Sequence, residues 1–381
     1  MKKTSILFFI SILVFNITAN GQVTKSPFLY EKGNTSIKFG GHVRVSTFAD
    51  FGGSIANNDF RNAIISVPNS WDNDSRFNID ISHTRFSIRA IQKNESIGDI
   101  EFYIETDFRG YGNALRLRQA YISFKGLILG QTWGFMNDLL SQAPNVDIQA
   151  ANSRTFYRTP LFGYRANLNE NFSLGISLEF PSVKMVAQSG VKSVNQTFPD
   201  IPAYIQFKGK SGHVKLAGVV RPMNYGALGI EKIKTEVGLG AQLSGSVKAT
   251  KNIMLYSQVI YGKGIAKYIN DLSLLNVDLV PGENVHTQQA VNMYGLSVGA
   301  KAILSKNIYC TATVSNAGFV NKDIYYSANE YFTGNYFSAS LFRTGIQNMT
   351  IAGGYNHGSR KNMNDIKGNA NRIQVIVMYK W

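Results

Sequence analysis

Arginines alternate with apolar residues in the first half of the chain. Of the fifteen arginines, eleven precede Asn171. Residues two apart on a strand share a face, so Arg116 and Arg118 lie opposite Leu115 and Leu117. A guanidinium presents a planar fork of donors that matches a carboxylate or a phosphate. The pattern predicts a pore wall that attracts small anions and carries these basic residues: Arg44, Arg85, Arg89, Arg109, Arg116, Arg118, Arg154, Arg158 and Arg165.

Acidic residues on a neighbouring segment leave a structural alternative open. Glu101, Glu105 and Asp107 share one face of their segment with Arg109. Inward arginines can pair with these carboxylates and simply tie the wall together. A surplus of positive charge in surroundings of low dielectric constant would still attract anions.

Period-two alternation, which is typical of β-strands, runs through almost the whole sequence. Short polar turns alternate with mostly long connections between the segments, which is the layout of an outer-membrane barrel. The predicted fold is therefore all-β, a transmembrane antiparallel β-barrel of about sixteen strands. The predicted segments are 36–50, 77–92, 99–109, 114–124, 127–134, 154–167, 172–180, 202–208, 213–221, 236–249, 253–264, 291–304, 308–318, 335–345, 349–358 and 371–381.

Aromatic residues at the segment ends distinguish this barrel from a soluble β-sandwich, which would also alternate. Aromatics make up 12% of the chain, and many lie where the girdles at the membrane interfaces are expected. The last segment closes on Trp381, as expected for a barrel assembled in the bacterial outer membrane. Surrounding lipid is thus one predicted partner.

The N-terminus predicts export. Lys2 and Lys3 precede an apolar run, and small residues at Ala19 and Gly21 indicate cleavage before Gln22. The predicted organisation is a signal peptide at 1–21, a short periplasmic segment at 22–35 and one barrel domain at 36–381. Without Lys2 and Lys3 the chain has 37 basic against 24 acidic residues, a formal net charge of +13. Export makes nucleic acid an unlikely partner for this charge, and small anionic solutes the expected one.

Histidines and cysteine suggest no cofactor chemistry. The single Cys310 cannot form an intramolecular disulfide framework. Four histidines are scattered singly, so neither a metal site nor another cofactor is predicted: His42, His83, His213 and His286.

The third long connection, residues 135–153, is unusually apolar for a solvated loop. We expect it to fold inward and pack its apolar side chains on the barrel wall. Asp138 and Asp147 would then oppose the arginines and create a transverse field across a constriction. Alternatively, this connection covers the outer rim of the barrel or forms a contact between subunits. The residues expected to face solute are Asn137, Asp138, Gln142, Asn145 and Asp147.

The run RLRQAYISFKGLILGQTWGFMNDLLSQAPNVDIQ and the following YRTPLFGYRANL resemble the DcaP-like outer-membrane porins, and more distantly the phosphate-selective porins. The resemblance implies a sixteen-stranded homotrimeric porin with an inward third loop that passes small anions such as dicarboxylates. One departure is that Gln22 to Thr35 is too short for the N-terminal coiled coil that such porins often carry. The matching residues are Arg116, Arg118, Ala120, Tyr121, Gly130, Gln131, Thr132, Trp133, Asp138, Pro144, Arg154 and Arg165.

The predicted function is therefore passive diffusion through a water-filled channel, with no enzymatic activity. Two alternatives remain. Ser359 and His357 share the predicted lipid face, as the nucleophile and the base of an outer-membrane lipid hydrolase would. A transporter of hydrophobic substrates is the other, although the arginine-rich first six strands argue against it.

Overall fold

The computed structural model describes residues 28–227, 233–322 and 327–381. The predicted signal peptide at 1–21 lies outside these residues. Within the described ranges, no helix has the length and apolar character needed to cross a bilayer. Helical structure there consists of short 3-10 turns, such as Leu139–Ser141 and Leu272–Leu274.

Sixteen antiparallel strands form a closed barrel. Each pairs with its neighbours in sequence, and the last pairs with the first over a register from His42 with Lys380 to Phe51 with Asn371. The predicted sixteen-stranded barrel is confirmed, and each predicted segment overlaps one strand. The strands are β1 (Thr35–Phe51), β2 (Ser75–Asp80 and Arg85–Gln92), β3 (Ile100–Asp107), β4 (Arg116–Phe124), β5 (Leu127–Trp133), β6 (Arg158–Asn167), β7 (Phe172–Glu179), β8 (Ile201–Gly209), β9 (Gly212–Ala227), β10 (Lys234–Lys248), β11 (Ile253–Lys263), β12 (Asn292–Ser305), β13 (Ile308–Phe319), β14 (Tyr331–Ile346), β15 (Met349–Asn362) and β16 (Lys367–Lys380).

Two local features adapt β1 and β2 to closure. The stretch between Asp80 and Arg85 interrupts β2, yet both of its segments pair with β1. Before β1, the short strand Leu29–Lys32 pairs with its first four residues, which lie beyond the reach of β16. The segment predicted as 22–35 therefore includes an extension of the sheet.

The strands have a polar inner face and an apolar outer face. On β11, Leu255, Val259 and Tyr261 are exposed on the outside, whereas Gln258 is buried inside. The two sides of the barrel differ in strand length. Strands β3 to β8, which we call the low wall, have 7 to 10 residues, whereas β12 to β16, the tall wall, have 12 to 16.

Long connections fold into the barrel from the end opposite the termini. L1 (52–74), L3 (134–157) and L6 (264–291) are the first, third and sixth long connections. Tyr268 and Leu272 of L6 are buried in an apolar cluster with Val219, Ile260 and Met293 of the inner wall. The main apolar core of this barrel therefore lies inside it.

Candidate functional site

L3 follows the inner wall from β6 to β1. Phe135 contacts the ring of Tyr204 on β8, and Gln142 donates a hydrogen bond to Gln258 on β11. At the far end, the carbonyl of Val146 accepts a hydrogen bond from the Arg44 guanidinium on β1. L3 thus covers the wall of β8 to β15 and leaves the free lumen on the side of β2 to β6.

Asp138 fixes the first half of L3 to the wall. His213 Nε2 lies 2.8 Å from its Oδ2, and Ser244 Oγ donates to the same oxygen at 2.7 Å. Asp138 also accepts from the backbone N–H of Leu140, which orders the turn Leu139–Ser141. Although burial opposes ionisation, the hydrogen bonds from His213 and Ser244 hold the pKa of Asp138 below its usual value.

Asp147 fixes the second half. Its carboxylate accepts from the backbone N–H groups of Gln149 and Ala150 at 3.1 and 3.0 Å, and Tyr336 lies 3.3 Å away. Asn145 beside it donates to Tyr336 and to Ser338. Burial, together with the charge of Asp59, raises the pKa of Asp147 to about 6.

The prediction that Asp138 and Asp147 face solute across a constriction is wrong, because the two side chains are only 5% and 3% exposed. His213 and Ser244 bind Asp138, and the arginines that interact electrostatically with Asp147 include Arg372 and Arg154, which are themselves buried. The inner wall is itself polar, so polar loop side chains are satisfied by turning toward it. Asn137 is buried in the same way, with its amide on the carbonyls of Gly134 and Tyr157, while Gln142 and Asn145 are half-buried.

The face of L3 that remains accessible is mainly apolar. Leu139 and Leu140 are 42% and 59% exposed, and Pro144 and Ile148 are half-buried. We call these four residues the apolar ledge. Phe135, Met136 and Val146, by contrast, are buried against the wall, as expected.

Ion pairs order the arginines of the opposite wall. Arg116 binds Asp107 through two nitrogens at 2.6 and 2.9 Å, and Arg118 bridges Asp107 and Glu105. The remaining pairs on this side are Arg85 with Glu105 (4.0 Å), Arg89 with Glu101 (3.3 Å) and Arg109 with Asp59 of L1 (2.6 Å). These five arginines thus pair with carboxylates and hold the wall together, which is the structural alternative to binding solute.

Arg158 and Arg165 have no carboxylate partner among the described residues. Arg158 stacks on Trp133 and lines a cavity of about 360 Å³ at the extracellular end, together with Arg61, Lys184 and Lys267. Arg165 stacks on Phe135 and lines a second cavity at the opposite end, beside Glu101. The two arginines therefore lie at opposite ends of β6.

Three of the predicted pore-lining arginines are largely buried. Arg44 donates to L3, Arg118 is 3% exposed, and Arg154 stacks on Phe156 and donates to the carbonyl of Ile148. Arg154 was expected on the sixth strand but belongs to L3, because β6 begins at Arg158. These three arginines therefore support L3 and the barrel wall through buried contacts and have little surface exposed to solute.

Two buried arginines outside the predicted set hold L1 and L6. Arg372 on β16 pairs with Asp50 at 2.6 Å and donates to the carbonyls of Asn57 and Asn58. Arg221 on β9 binds Asp278 of L6 at 2.5 Å. Both occupy inward positions of predicted strands, and that parity was the only sequence signal for them.

His357 and Ser359 lie on the outer face of β15, as their parity predicts. His357 Nδ1 lies 2.9 Å from Asn371, and the Ser359 hydroxyl is paired with Asn335. The hydrogen bonds thus link each residue to an amide on a neighbouring strand, which is not the arrangement of a nucleophile with its base.

Comparison with known proteins gives one family match and several structural matches. The sequence profile of the family described as DcaP outer membrane protein matches residues 16–381. No curated protein sequence matches significantly. The outer membrane channel DcaP of Acinetobacter baumannii has a TM-score of 0.80 at 16% identity, over 92% of this chain and 99% of that one.

More distant structures share the same barrel. An anion-selective porin from Comamonas acidovorans has a TM-score of 0.61 at 11% identity, over 91% of this chain and 100% of its own. OmpT of Vibrio cholerae, an outer membrane protein in a trimer form, has a TM-score of 0.57 at 9% identity, over 92% and 100%. At these identities the similarity establishes the fold.

Proposed function

This chain belongs to the DcaP outer membrane protein family, and its fold is that of outer-membrane channels. We propose that its lumen passes small organic anions by passive diffusion. The observation that supports this selectivity is the position of Arg158 and Arg165, two guanidinium groups that line cavities at opposite ends of β6 and have no carboxylate partner in the described part of the chain. An unpaired cation in a narrow, low-dielectric channel attracts anions more strongly than one already neutralised by a carboxylate.

The extracellular mouth favours entry of anions. Arg61, Arg158 and Lys184 line its cavity together with Lys267, which is paired with Asp200, and the one carboxylate in the lining, Asp278, is bound to Arg221. At the other mouth, Glu101 and Asp99 lie near Arg165, so positive charge is less dominant. An anion captured outside would thus be released on the periplasmic side.

The two sides of the free lumen suit an organic solute. A carboxylate fits the guanidinium fork on the β2 to β6 side, while the carbon skeleton can contact the apolar ledge of L3. A dicarboxylate can engage Arg158 and then Arg165 in succession, so dicarboxylates are the proposed preferred class.

A homotrimer accounts for the uneven wall. Strands of roughly 9–11 residues are needed to cross a bilayer, and β3, β5 and β7 have only 8, 7 and 8. The low wall of β3 to β8 would be completed by contact with further copies, and the tall wall would face lipid.

Planar-bilayer recording in a KCl gradient tests the selectivity. We expect a reversal potential of anion-selective sign, and liposome swelling that is faster with succinate than with a neutral sugar of similar size. The double variant Arg158→Gln/Arg165→Gln should shift the reversal potential toward zero, whereas Lys251→Gln/Lys306→Gln, in periplasmic turns, should shift it little. A cation-selective wild type, or equal shifts in both variants, would contradict the proposal.

A further inference from the structure

The tall wall carries an unusual set of polar side chains on its outer face. Outward positions of β13 to β16 form a continuous row in register, in which Asn316 pairs with Asn335, Asn335 with Ser359 and Ser359 with Asn369. Hydrogen bonds join Asn316 to Asn335 at 2.8 Å and Asn335 to Ser359 at 3.4 Å. We call this row, with the adjoining Tyr294, His357 and Asn371, the amide band.

The amide band lies at the depth of the lipid headgroups. β15 and β16 have 14 residues each, more than the roughly 9–11 that cross the hydrocarbon. Ser359 lies ten positions beyond Met349, the first residue of β15 at the periplasmic end. The band therefore begins where the apolar span is complete, and its amides and hydroxyls suit the hydroxyl groups of a sugar.

Lysines stand directly above the band. Lys361 and Lys367 face each other in register on the outer face, and Lys322 of the seventh long connection joins them around Asp365. Lys322 and Lys361 each lie 2.6 Å from Asp365, while Lys367 has no ion pair in the described structure. Three ammonium groups against one carboxylate leave a net positive charge suited to phosphate.

An apolar groove of about 490 Å³ lies below the band on the same strands. Small outward residues form it, because Gly353 and several alanines leave the wall recessed there. Ser359 and Gly353 are six residues apart on β15, roughly 20 Å along the strand. The lining includes Ala300, Ala302, Cys310, Ala312, Ala339 and Gly353.

We propose that the outer face of β12 to β16 binds one molecule of a phosphorylated, acylated glycolipid of the outer leaflet. Its phosphate lies on Lys361 and Lys367, its sugar on the amide band and one acyl chain in the groove. The three chemistries follow one another along the wall in the order in which such a lipid presents them from water to hydrocarbon.

Native mass spectrometry of the full-length protein in mild detergent tests this, with bisphosphorylated lipid A and dephosphorylated lipid A as probes. We expect the wild type to bind one bisphosphorylated molecule and to prefer it over the dephosphorylated lipid. Lys361→Gln/Lys367→Gln should weaken its binding about tenfold and abolish the preference, because two charge-assisted contacts are lost. Lys192→Gln/Lys263→Gln, a control with the same loss of charge, should retain both.

A second pair of variants tests the groove. An added Cβ at Gly353 meets no atom closer than 4.0 Å, so Gly353→Leu fills the groove without a clash. Its control is Gly218→Leu, which fills a comparable outer groove on β8 to β11 that lacks the amide band. Lipid affinity should fall only for Gly353→Leu.

Unchanged affinity in the lysine variant, equal loss in its control, or unchanged affinity in Gly353→Leu would overturn the proposal. So would spectra in which the lysine variant dissociates oligomers while its affinity for lipid is preserved, since the surface would then be a contact between copies.

Discussion

At the scale of single residues, Asp138 is the contact on which the position of the apolar ledge depends. Its carboxylate accepts from Leu140, Ser244 and His213, and all but Leu140 are buried. Asp138→Asn keeps the size but places an amide nitrogen, a donor, where an acceptor is needed. We expect a loss of roughly 1–3 kcal/mol in the free energy of unfolding.

The same substitution should release the turn Leu139–Ser141 and increase current noise in single-channel recordings. Urea titration in lipid vesicles measures the first effect. Asp72→Asn, at an exposed site on L1, is the control and should change neither. A quiet channel of wild-type stability would show that L3 is held by its other contacts.

Residue parity indicated that Arg116 and Arg118 point inward, where they pair with Asp107 and Glu105, since a guanidinium on the lipid face is costly. It could not predict the orientation of Asp138 and Asp147. In a loop no period links one side chain to the next, and the outcome depends on partners from distant strands such as His213 and Tyr336. The apolar side chains of L3 were expected to pack on the barrel wall. Leu139 and Leu140 are exposed instead, because no period in a loop determines which side chains face the wall.

At the scale of elements, L1 is held by the pair of Arg372 and Asp50, both fully or nearly fully buried. Arg372→Gln leaves a buried carboxylate unpaired, for which we expect a loss of roughly 3–5 kcal/mol. Asp50→Asn/Arg372→Gln should recover part of it. A double-mutant cycle by urea unfolding measures the coupling, and limited proteolysis of L1 reports its release. Additive losses would argue against the pair.

L3 should make the stability of the barrel depend on pH through Asp147. Its pKa is raised by burial from 3.8 to about 6. The stability contribution is therefore fully present below 3.8 and is lost as the pH rises through about 6. Asp147→Asn cannot ionise, so its melting temperature relative to wild type should rise between about pH 4 and about pH 8. A constant difference would contradict this.

The strands were predictable because alternation is local, but the infolding of L1 and L6 was not. Tyr268, Ile269 and Leu272 of L6 form no period, and they are buried only because Val219 and Met293 place apolar side chains on an inner wall that is otherwise polar. The interruption of β2 between Asp80 and Arg85 likewise depends on its pairing with β1.

At the scale of the whole molecule, unpaired charges near both mouths make selectivity sensitive to salt. The Debye length falls from about 10 Å at 0.1 M to about 3 Å at 1 M ionic strength. We expect the anion preference of the wild type, measured at one fixed concentration ratio, to weaken between these limits. Selectivity that does not depend on salt would point to direct contact with dehydrated ions instead.

The height of the wall, finally, assigns its two sides to different surroundings. Phe102 on β3, Leu117 on β4 and Phe162 on β6 are exposed apolar side chains of the low wall, at 45%, 50% and 51%. If copies of the chain associate there, Leu117→Asn should convert trimers to monomers in mild detergent, because it places an amide in an apolar contact.

Leu255→Asn, at a 41% exposed site on β11, makes the same chemical change on the taller side and should leave the oligomer intact. Light scattering coupled to size-exclusion chromatography distinguishes the two outcomes. Monomers of the wild type, or dissociation by both variants alike, would mean that the short strands are shielded by lipid deformation rather than by protein. The low wall would then thin the bilayer around each single barrel, since a short span is otherwise accommodated in that way.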